Sequence, residues 1–193
     1  MAGVRVIAGK LKGRLIPFDN RKFDDADITP QRVKGALFSM IGEWLYEKGF
    51  LDLYAGSGQV GLEALSRGAD PVVFNDTDIK RHQFIKSYCA GIGIEPMPMI
   101  LNLTTERALA FLKLKRYIFH YIFLDPPYEM VRAGVLLHHD LIQGIADSGI
   151  LAGDGSIILQ HFSRNIMDEA IGPCRLETTK IYGKTALSVY SIG

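Results

Sequence analysis

The spacing of apolar residues changes period several times along this chain. Val33, Ala36, Leu37, Met40, Ile41 and Trp44 recur at helical spacing, and Thr29 as N-cap with Pro30 behind it predicts where that helix begins. Phe50 to Tyr54 is instead a short apolar run, the pattern of a buried strand. Glycines follow it, and then a second helical series at Val60, Leu62, Ala64 and Leu65, with Gly68 as C-terminal cap. The alternation continues with a strand over 71–76, a helix over 79–89 and a proline-marked strand over 97–101, placed near a sheet edge. It goes on through a helix over 104–112, a strand over 119–124, a helix over 133–147 and a strand over 155–159. Two long runs, 174–182 and 185–192, flank Gly183-Lys184 and predict an antiparallel C-terminal hairpin. At the other end, Val4 to Gly9 and Leu11 to Pro17 predict a small hairpin around Gly9-Lys10.

Strands alternating with helices predict an α/β fold: a doubly wound, mostly parallel sheet with an antiparallel C-terminal hairpin and a small N-terminal β-hairpin extension. The division expected is residues 1–28 as a basic hairpin and loop, and residues 29–193 as the main domain. Charge supports it. Residues 1–35 carry eight bases and four acids, a net of +4, in a chain whose total is +1. A basic end on an otherwise slightly acidic body suits contact with a polyanion, through Lys10, Lys12 and Arg14. Arg32, in the first turn of its helix, sits where the helix dipole disfavours a cation, so it is expected to have an anionic partner. Cys89 and Cys174 are too few for a disulfide framework, and no histidine cluster accompanies them. With no membrane-length apolar run and no secretion-signal pattern, the expectation is a cytoplasmic protein without metal or membrane contacts, working as a monomer.

The chemistry concentrates in two stretches. In Tyr121-Ile122-Phe123-Leu124-Asp125-Pro126-Pro127-Tyr128 the strand must stop at Pro126, which cannot donate a ladder hydrogen bond. Asp125 is thereby set at a strand's carboxyl end, where open α/β sheets bind ligands. A carboxylate and a proline carbonyl accept the two hydrogens of a planar amine, and the Tyr128 ring stacks on its plane. In the second stretch, Gly56, Ser57 and Gly58 join a strand to a helix, the arrangement that brings backbone N–H groups to a nucleotide-like cofactor. Asp76, at the end of the next strand, suits a ribose diol; Thr77 and Asp78 are alternative caps for the helix that follows. Gln59, Asp76, Asn102 and Asp125 are all expected at strand carboxyl ends, facing one crevice.

These residues resemble the Rossmann-like class I S-adenosylmethionine-dependent methyltransferases, and within them the family that methylates a guanine N2 amine of bacterial 16S ribosomal RNA. The resemblance runs through Arg5-Val6-Ile7-Ala8-Gly9-Lys10, Gly13-Arg14, Arg32-Val33-Lys34-Gly35-Ala36-Leu37-Phe38 and Asp52 to Gly58. It continues in Gly61-Leu62-Glu63-Ala64-Leu65-Ser66-Arg67-Gly68-Ala69, Leu124 to Tyr128 and Tyr182-Gly183-Lys184-Thr185-Ala186-Leu187. It implies S-adenosyl-L-methionine as cofactor, with Asp52, Tyr54, Ala55, Gly56, Ser57 and Gly58 lining its amino acid moiety, Asp76 on the ribose and Asn102 beside the adenine. It implies Asp125, Pro126, Pro127 and Tyr128 at the target base, and ribosomal RNA or a small-subunit particle as partner. The chain departs from the family pattern in three places: Asp27-Ile28-Thr29 stands for Arg-Pro-Thr, Gly35 for a glutamate, and Gln160 for the glutamate before His161. An amine grip serves DNA adenine N6 or cytosine N4 equally well, and a non-catalytic nucleotide- or RNA-binding module is the remaining alternative.

Overall fold

The computed structural model describes residues 3–19, 29–127, 131–132, 135–136 and 138–193. The chain divides into two compact units, Met1–Thr104 and Thr105–Gly193. The first begins with β1 (Val4–Arg5) antiparallel to β2 (Leu15–Ile16), Val4 opposite Ile16. Val4, Val6, Leu11, Ile16 and Phe18 are buried, so the alternation does mark one inward face. The turn is wider than the sequence predicts. Gly9 and Gly13 both adopt positive φ, and the bonds Lys12 N–H to Gly9 O and Arg14 N–H to Leu11 O fold residues 9–14 into consecutive turns.

Helix α1 (Gln31–Ile41) buries Val33, Leu37 and Phe38, together with Lys34. It starts later than expected. Pro30 occupies the cap position with extended ψ and gives no side-chain cap bond, so Thr29 is not the N-cap. It also ends earlier, at Gly42 with φ 113°, which leaves Trp44 off the helix and 52% exposed. Then come β3 (Phe50–Asp52), α2 (Gln59–Ser66), β4 (Val72–Asn75), α3 (Ile79–Gly91) and β5 (Met99–Leu101). β3 pairs with β4 and β4 with β5, both parallel, Leu51 opposite Val73 and Phe74 opposite Ile100. Every residue of β3, β4 and α2 is buried. Helix α2 lies so close to the sheet that a Cβ on Gly61 would run into the Phe74 ring. Only glycine permits that approach.

A buried charge network fastens the N-terminal hairpin to α2. The Glu63 carboxylate accepts hydrogen bonds from the N–H groups of Ile7 (2.7 Å) and Ala8 (2.9 Å). It also pairs with Lys34 Nζ (3.2 Å) and Arg67 Nε (3.0 Å). Lys34 donates in addition to the carbonyl of Arg5 at 2.8 Å. One turn on, Ser66 accepts from Leu11 N–H with its hydroxyl and from Lys10 N–H with its carbonyl. Burial lowers the Lys34 pKa, and the Glu63 carboxylate opposes that pull.

The second unit holds α4 (Thr105–Leu114), β6 (Phe119–Leu124), an antiparallel pair β7 (Val131–Arg132) and β8 (Val135–Leu136), and α5 (His138–Ser148). β9 (Leu151–Phe162), β10 (Ala170–Ile171), β11 (Cys174–Tyr182) and β12 (Thr185–Ile192) complete it. β6 runs parallel to β9, with Ile122 opposite Ile157 and Leu124 opposite Leu159. β9 then passes to antiparallel β12, β11 and β10. β6, β11 and β12 begin and end where their apolar patterns do. α5 starts later than the 133–147 pattern because β8 lies within its expected first turn. β9 is far longer than 155–159, since Gly153 and Asp154 interrupt its apolar run without ending the strand. No helix among the described residues is long and apolar enough to cross a membrane.

Candidate active site

In the first unit three strand ends are laced together. Gly56 (φ 53°) and Gly58 (φ 72°) turn the chain from β3 into α2 through left-handed backbone. Asp52, buried behind the turn, accepts the Gly61 N–H at 2.8 Å with Oδ2 and so anchors the first turn of α2. Ala55 N–H donates to Asn75 O, and Gly58 N–H to Ala55 O. Ser57 is buried and Tyr54 half-buried. Asp76, just beyond β4, accepts from Gly56 N–H with Oδ2 (2.8 Å) and from Asp78 N–H with Oδ1 (2.9 Å). The Arg81 guanidinium lies 3.7 Å from Asp76 Oδ2. Asp78, not Asp76, caps α3, receiving the N–H groups of Lys80 and Arg81. Asp76 is therefore a buried carboxylate joined to the glycine turn. Two backbone donors occupy about half of the four or so acceptor positions a carboxylate offers.

Asn102 donates both amide hydrogens to main-chain carbonyls, those of Asp76 (2.8 Å) and Thr77 (2.9 Å). It thus fixes the loop that carries Asp76. Asn75, which sequence reasoning missed, does similar work. Its Nδ2 donates to Leu53 O and Leu103 O, and its Oδ1 accepts Leu103 N–H. An asparagine closing an apolar strand was the signal available. Gln59, the first residue of α2, is buried, and its Oε1 accepts no hydrogen bond among the described residues.

In the second unit Asp125 follows the last residue of β6, as expected, with Pro126 buried and Pro127 exposed. Asp125 Oδ1 accepts from Gln160 Nε2 at 2.8 Å. Gln160 is buried on β9. An ionised glutamate there would set like charge against Asp125, whereas the amide donates a hydrogen bond to it. Tyr128 lies outside the described residues.

Beside Gln160 runs a polar chain for which the sequence carries no motif, from buried His161 Nε2 to buried Ser188 Oγ (2.8 Å) and on to Thr179 Oγ1 at the surface (2.7 Å). The His138 ring is 5.9 Å from that of His161. Burial, and secondarily His161, push His138 down to about 4. Burial also lowers His161. A neutral native His138 that titrates near 6.5 when unfolded makes the unfolded chain bind more protons between those values. Stability therefore rises with pH across that window and is lost as pH falls through it, with a slope of up to about 1.4 kcal/mol per unit. Urea unfolding at pH 7 and pH 5 is expected to show a drop that His138→Gln reduces; an equal drop in the variant would locate the titration elsewhere.

The basic residues singled out by charge are exposed: Lys10, Lys12 and Arg14 on the N-terminal turn, and Arg32 on the first turn of α1. Among the described residues no three His, Cys, Asp or Glu side chains are grouped to hold a metal ion.

Residues 4–191 match the family model described as Conserved hypothetical protein 95. The chain is 33% identical over 187 residues to the Bacillus subtilis (strain 168) protein named "Putative rRNA methyltransferase YlbH", covering 97% of this chain and 98% of that one. It is 28% identical over 189 residues to Ribosomal RNA small subunit methyltransferase D of Escherichia coli (strain K12), with coverage of 97% and 89%. Among solved structures, the Thermus thermophilus hypothetical protein TTHA0928 superposes with a TM-score of 0.80 at 27% identity, covering 98% of this chain and 99% of that one. The structure titled "Putative methyltransferase yhhF from Escherichia coli" gives 0.79 at 24% identity, covering 98% and 97%, a likeness of fold. The mostly parallel sheet with antiparallel C-terminal strands, which the sequence pattern predicts, is the Rossmann-like class I methyltransferase fold that the family resemblance implies. The chain belongs to the Conserved hypothetical protein 95 family, that of ribosomal RNA small subunit methyltransferase D, within the class I S-adenosylmethionine-dependent methyltransferases.

Proposed function

We propose that this protein transfers a methyl group from S-adenosylmethionine to the exocyclic N2 amine of a guanine in small-subunit ribosomal RNA. The observation that carries the proposal is Asp125, held by Gln160 at the end of β6 and followed at once by Pro126. The residues of the first unit fit the cofactor. Asp76 retains acceptor capacity for a ribose diol. The turn from Tyr54 to Gly58, with Asp52 behind it, suits the amino acid end, and Asn102 suits the neighbourhood of the adenine. The buried Oε1 of Gln59 suits an ammonium donor. When bound, the cofactor supplies a methyl group on a sulfonium; positioning and electrostatics fall to the chain.

An exocyclic amine is a weak nucleophile because its lone pair is delocalised into the ring. Asp125 and the Pro126 carbonyl accept its two N–H groups, orient the nitrogen and stabilise the positive charge that develops on it. Tyr128 supplies a stacking face for the base. The base must leave its stack to be reached, which favours an RNA loop over a duplex. Lys10, Lys12, Arg14 and Arg32 grip phosphates without reading sequence, residues 1–28 acting as the RNA-contacting extension of a methyltransferase domain over 29–193. The protein works as a monomer in the cytoplasm.

The test is incubation with methyl-labelled cofactor and small-subunit particles from a strain lacking the gene, followed by digestion of the RNA. Label in N2-methylguanosine is expected. Label in another nucleoside would overturn the guanine N2 assignment, and no label despite measurable cofactor binding would overturn transfer to this particle. For the phosphate grip, Lys12→Ala is expected to weaken RNA binding at every sequence and to reduce the log–log salt slope by about 0.7–0.9. An unchanged slope would remove Lys12 from the contact set.

A further inference from the structure

Two large aromatic side chains stand in solvent on the first unit. Trp44 is 52% and Tyr46 67% exposed. Their rings are nearly parallel, with centroids 5.9 Å apart and planes inclined by 11°. The backbone beneath them is anchored. Leu45, between them, is buried and donates its N–H to Arg67 O at 3.0 Å. Arg67 Nη1 in turn donates to Glu43 O at 2.9 Å, while its Nε is held by Glu63. The Tyr46 ring lies against Gly68, where a Cβ would come within 2.6 Å of it. Gly68 thus serves twice, as the positive-φ residue that ends α2 and as the seat of the ring. The loop is a preformed aromatic platform with few side-chain rotamers left to freeze.

What it faces follows from its neighbour. Lys10 N–H is bonded to the carbonyl of Ser66, and Leu45 N–H to that of Arg67, the next residue. The basic turn and the aromatic loop are therefore pinned side by side on one end of α2, their backbones on the order of 10 Å apart. The aromatic loop carries Glu43, Glu47 and Lys48, so it offers no phosphate grip of its own. A ring face next to a basic turn fits a nucleotide strand, with phosphates on the lysines and a base on the ring.

We propose that Trp44, backed by Tyr46, is a stacking platform for an unpaired base of the RNA strand whose phosphates lie on Lys10, Lys12 and Arg14. The platform rests on the ribosomal RNA reading given above and adds a further RNA contact to it, on the first unit. Stacking is sequence-tolerant and insensitive to salt, so the two halves of this surface leave different signatures.

Trp44 is the only tryptophan in the chain, so its emission reports on the site directly. Titration with a short single-stranded RNA is expected to quench that emission saturably, whereas a duplex of the same sequence leaves it largely unchanged. Trp44→Ala is expected to weaken single-strand binding on the order of tenfold at an unchanged salt slope, and Trp44→Phe to retain most of the affinity. Circular dichroism and the melting temperature establish that each variant is folded. Absence of quenching, or unaltered affinity in Trp44→Ala, would overturn the platform. So would a loss confined to whole particles with free RNA bound normally, which would assign the aromatics to a ribosomal protein. If N2-methylguanosine is still labelled while the platform fails, only this inference falls. If the platform binds RNA but no guanosine is labelled, the stacking contact stands and the chemistry is wrong.

Discussion

Asp125→Ala is expected to abolish methyl transfer while leaving cofactor affinity close to that of the unaltered protein. The proposed chemistry asks Asp125 to accept an amine hydrogen that becomes more acidic as the nitrogen gains charge, an interaction stronger in the transition state than in the ground state. Removing a single preorganised group of that kind costs on the order of 10²–10³ in turnover. Cofactor affinity should persist because the groups assigned to the cofactor are braced by bonds of their own, Asp52 to Gly61, Gly56 to Asp76 and Asn102 to Asp76 and Thr77. The measurement pairs single-turnover transfer of a labelled methyl group with calorimetric titration of the cofactor. Asp125→Asn sharpens it. An amide keeps the size and one acceptor but turns a second donor toward the amine or toward Gln160, so it should fail nearly as badly as alanine. Full activity in Asp125→Asn would mean that shape, not charge, matters there. Loss of cofactor binding in Asp125→Ala would remove Asp125 from the base grip.

The elements that carry this chemistry were legible because their signals are local. Phe119 to Leu124 is apolar almost throughout and Pro126 ends it, so Asp125 could be placed at the end of β6 from the sequence pattern. Gly56 and Gly58 marked the turn into α2, and Gly183 divided two alternating runs that became β11 and β12. What stayed hidden depends on partners distant in sequence. Lys34 lies between Val33 and Leu37 and looks like a solvated helix position, yet its partner is Glu63, far along the chain and itself within an apolar helix. Gln160 registered only as a departure from a family pattern, because the bond that explains it reaches Asp125 on another strand. Trp44 continued the helical spacing of α1, and Gly42 took it off the helix. His161 and Ser188 are polar residues on strands separated in sequence, and nothing local gives a hint of the bond between them. The stretches behind the family resemblance divide the same way: Lys34, Glu63, Ser66 and Arg67 belong to the network that holds the hairpin in place, whereas Asp125 is the residue proposed to grip the target base.

Glu63→Gln is expected to destabilise the protein by roughly 3–5 kcal/mol, the cost of leaving buried charge without its counter-ion. For a chain of this size that lowers the melting temperature by roughly 6–20 °C. The substitution keeps the volume of the side chain but only one of its two acceptor oxygens, Oε2 having taken the Ile7 N–H and Oε1 the Ala8 N–H, so the loss reports charge and one hydrogen bond and not a cavity. Two cations lose their partner together, Lys34 and Arg67, and both side chains are almost wholly buried. Burial already lowers the Lys34 pKa against the pull of Glu63. Without that pull the amine should give up its proton more readily in the fold than in the unfolded chain, where its value is near 10.5. The unfolded state then binds more protons across that window, so the variant gains stability as pH rises and its deficit is smaller at pH 9 than at pH 7. Adding Lys34→Met should recover part of the loss, because the pair is coupled through direct contact. Amide exchange at Ile7 and Ala8 should quicken more than at β4, since those two N–H groups fasten the hairpin to Glu63. A melting temperature within a degree or two of the unaltered protein would instead class the network with ion pairs that water already screens, and would leave the apolar contacts of Val4, Val6 and Ile16 as what holds the N-terminal hairpin in place.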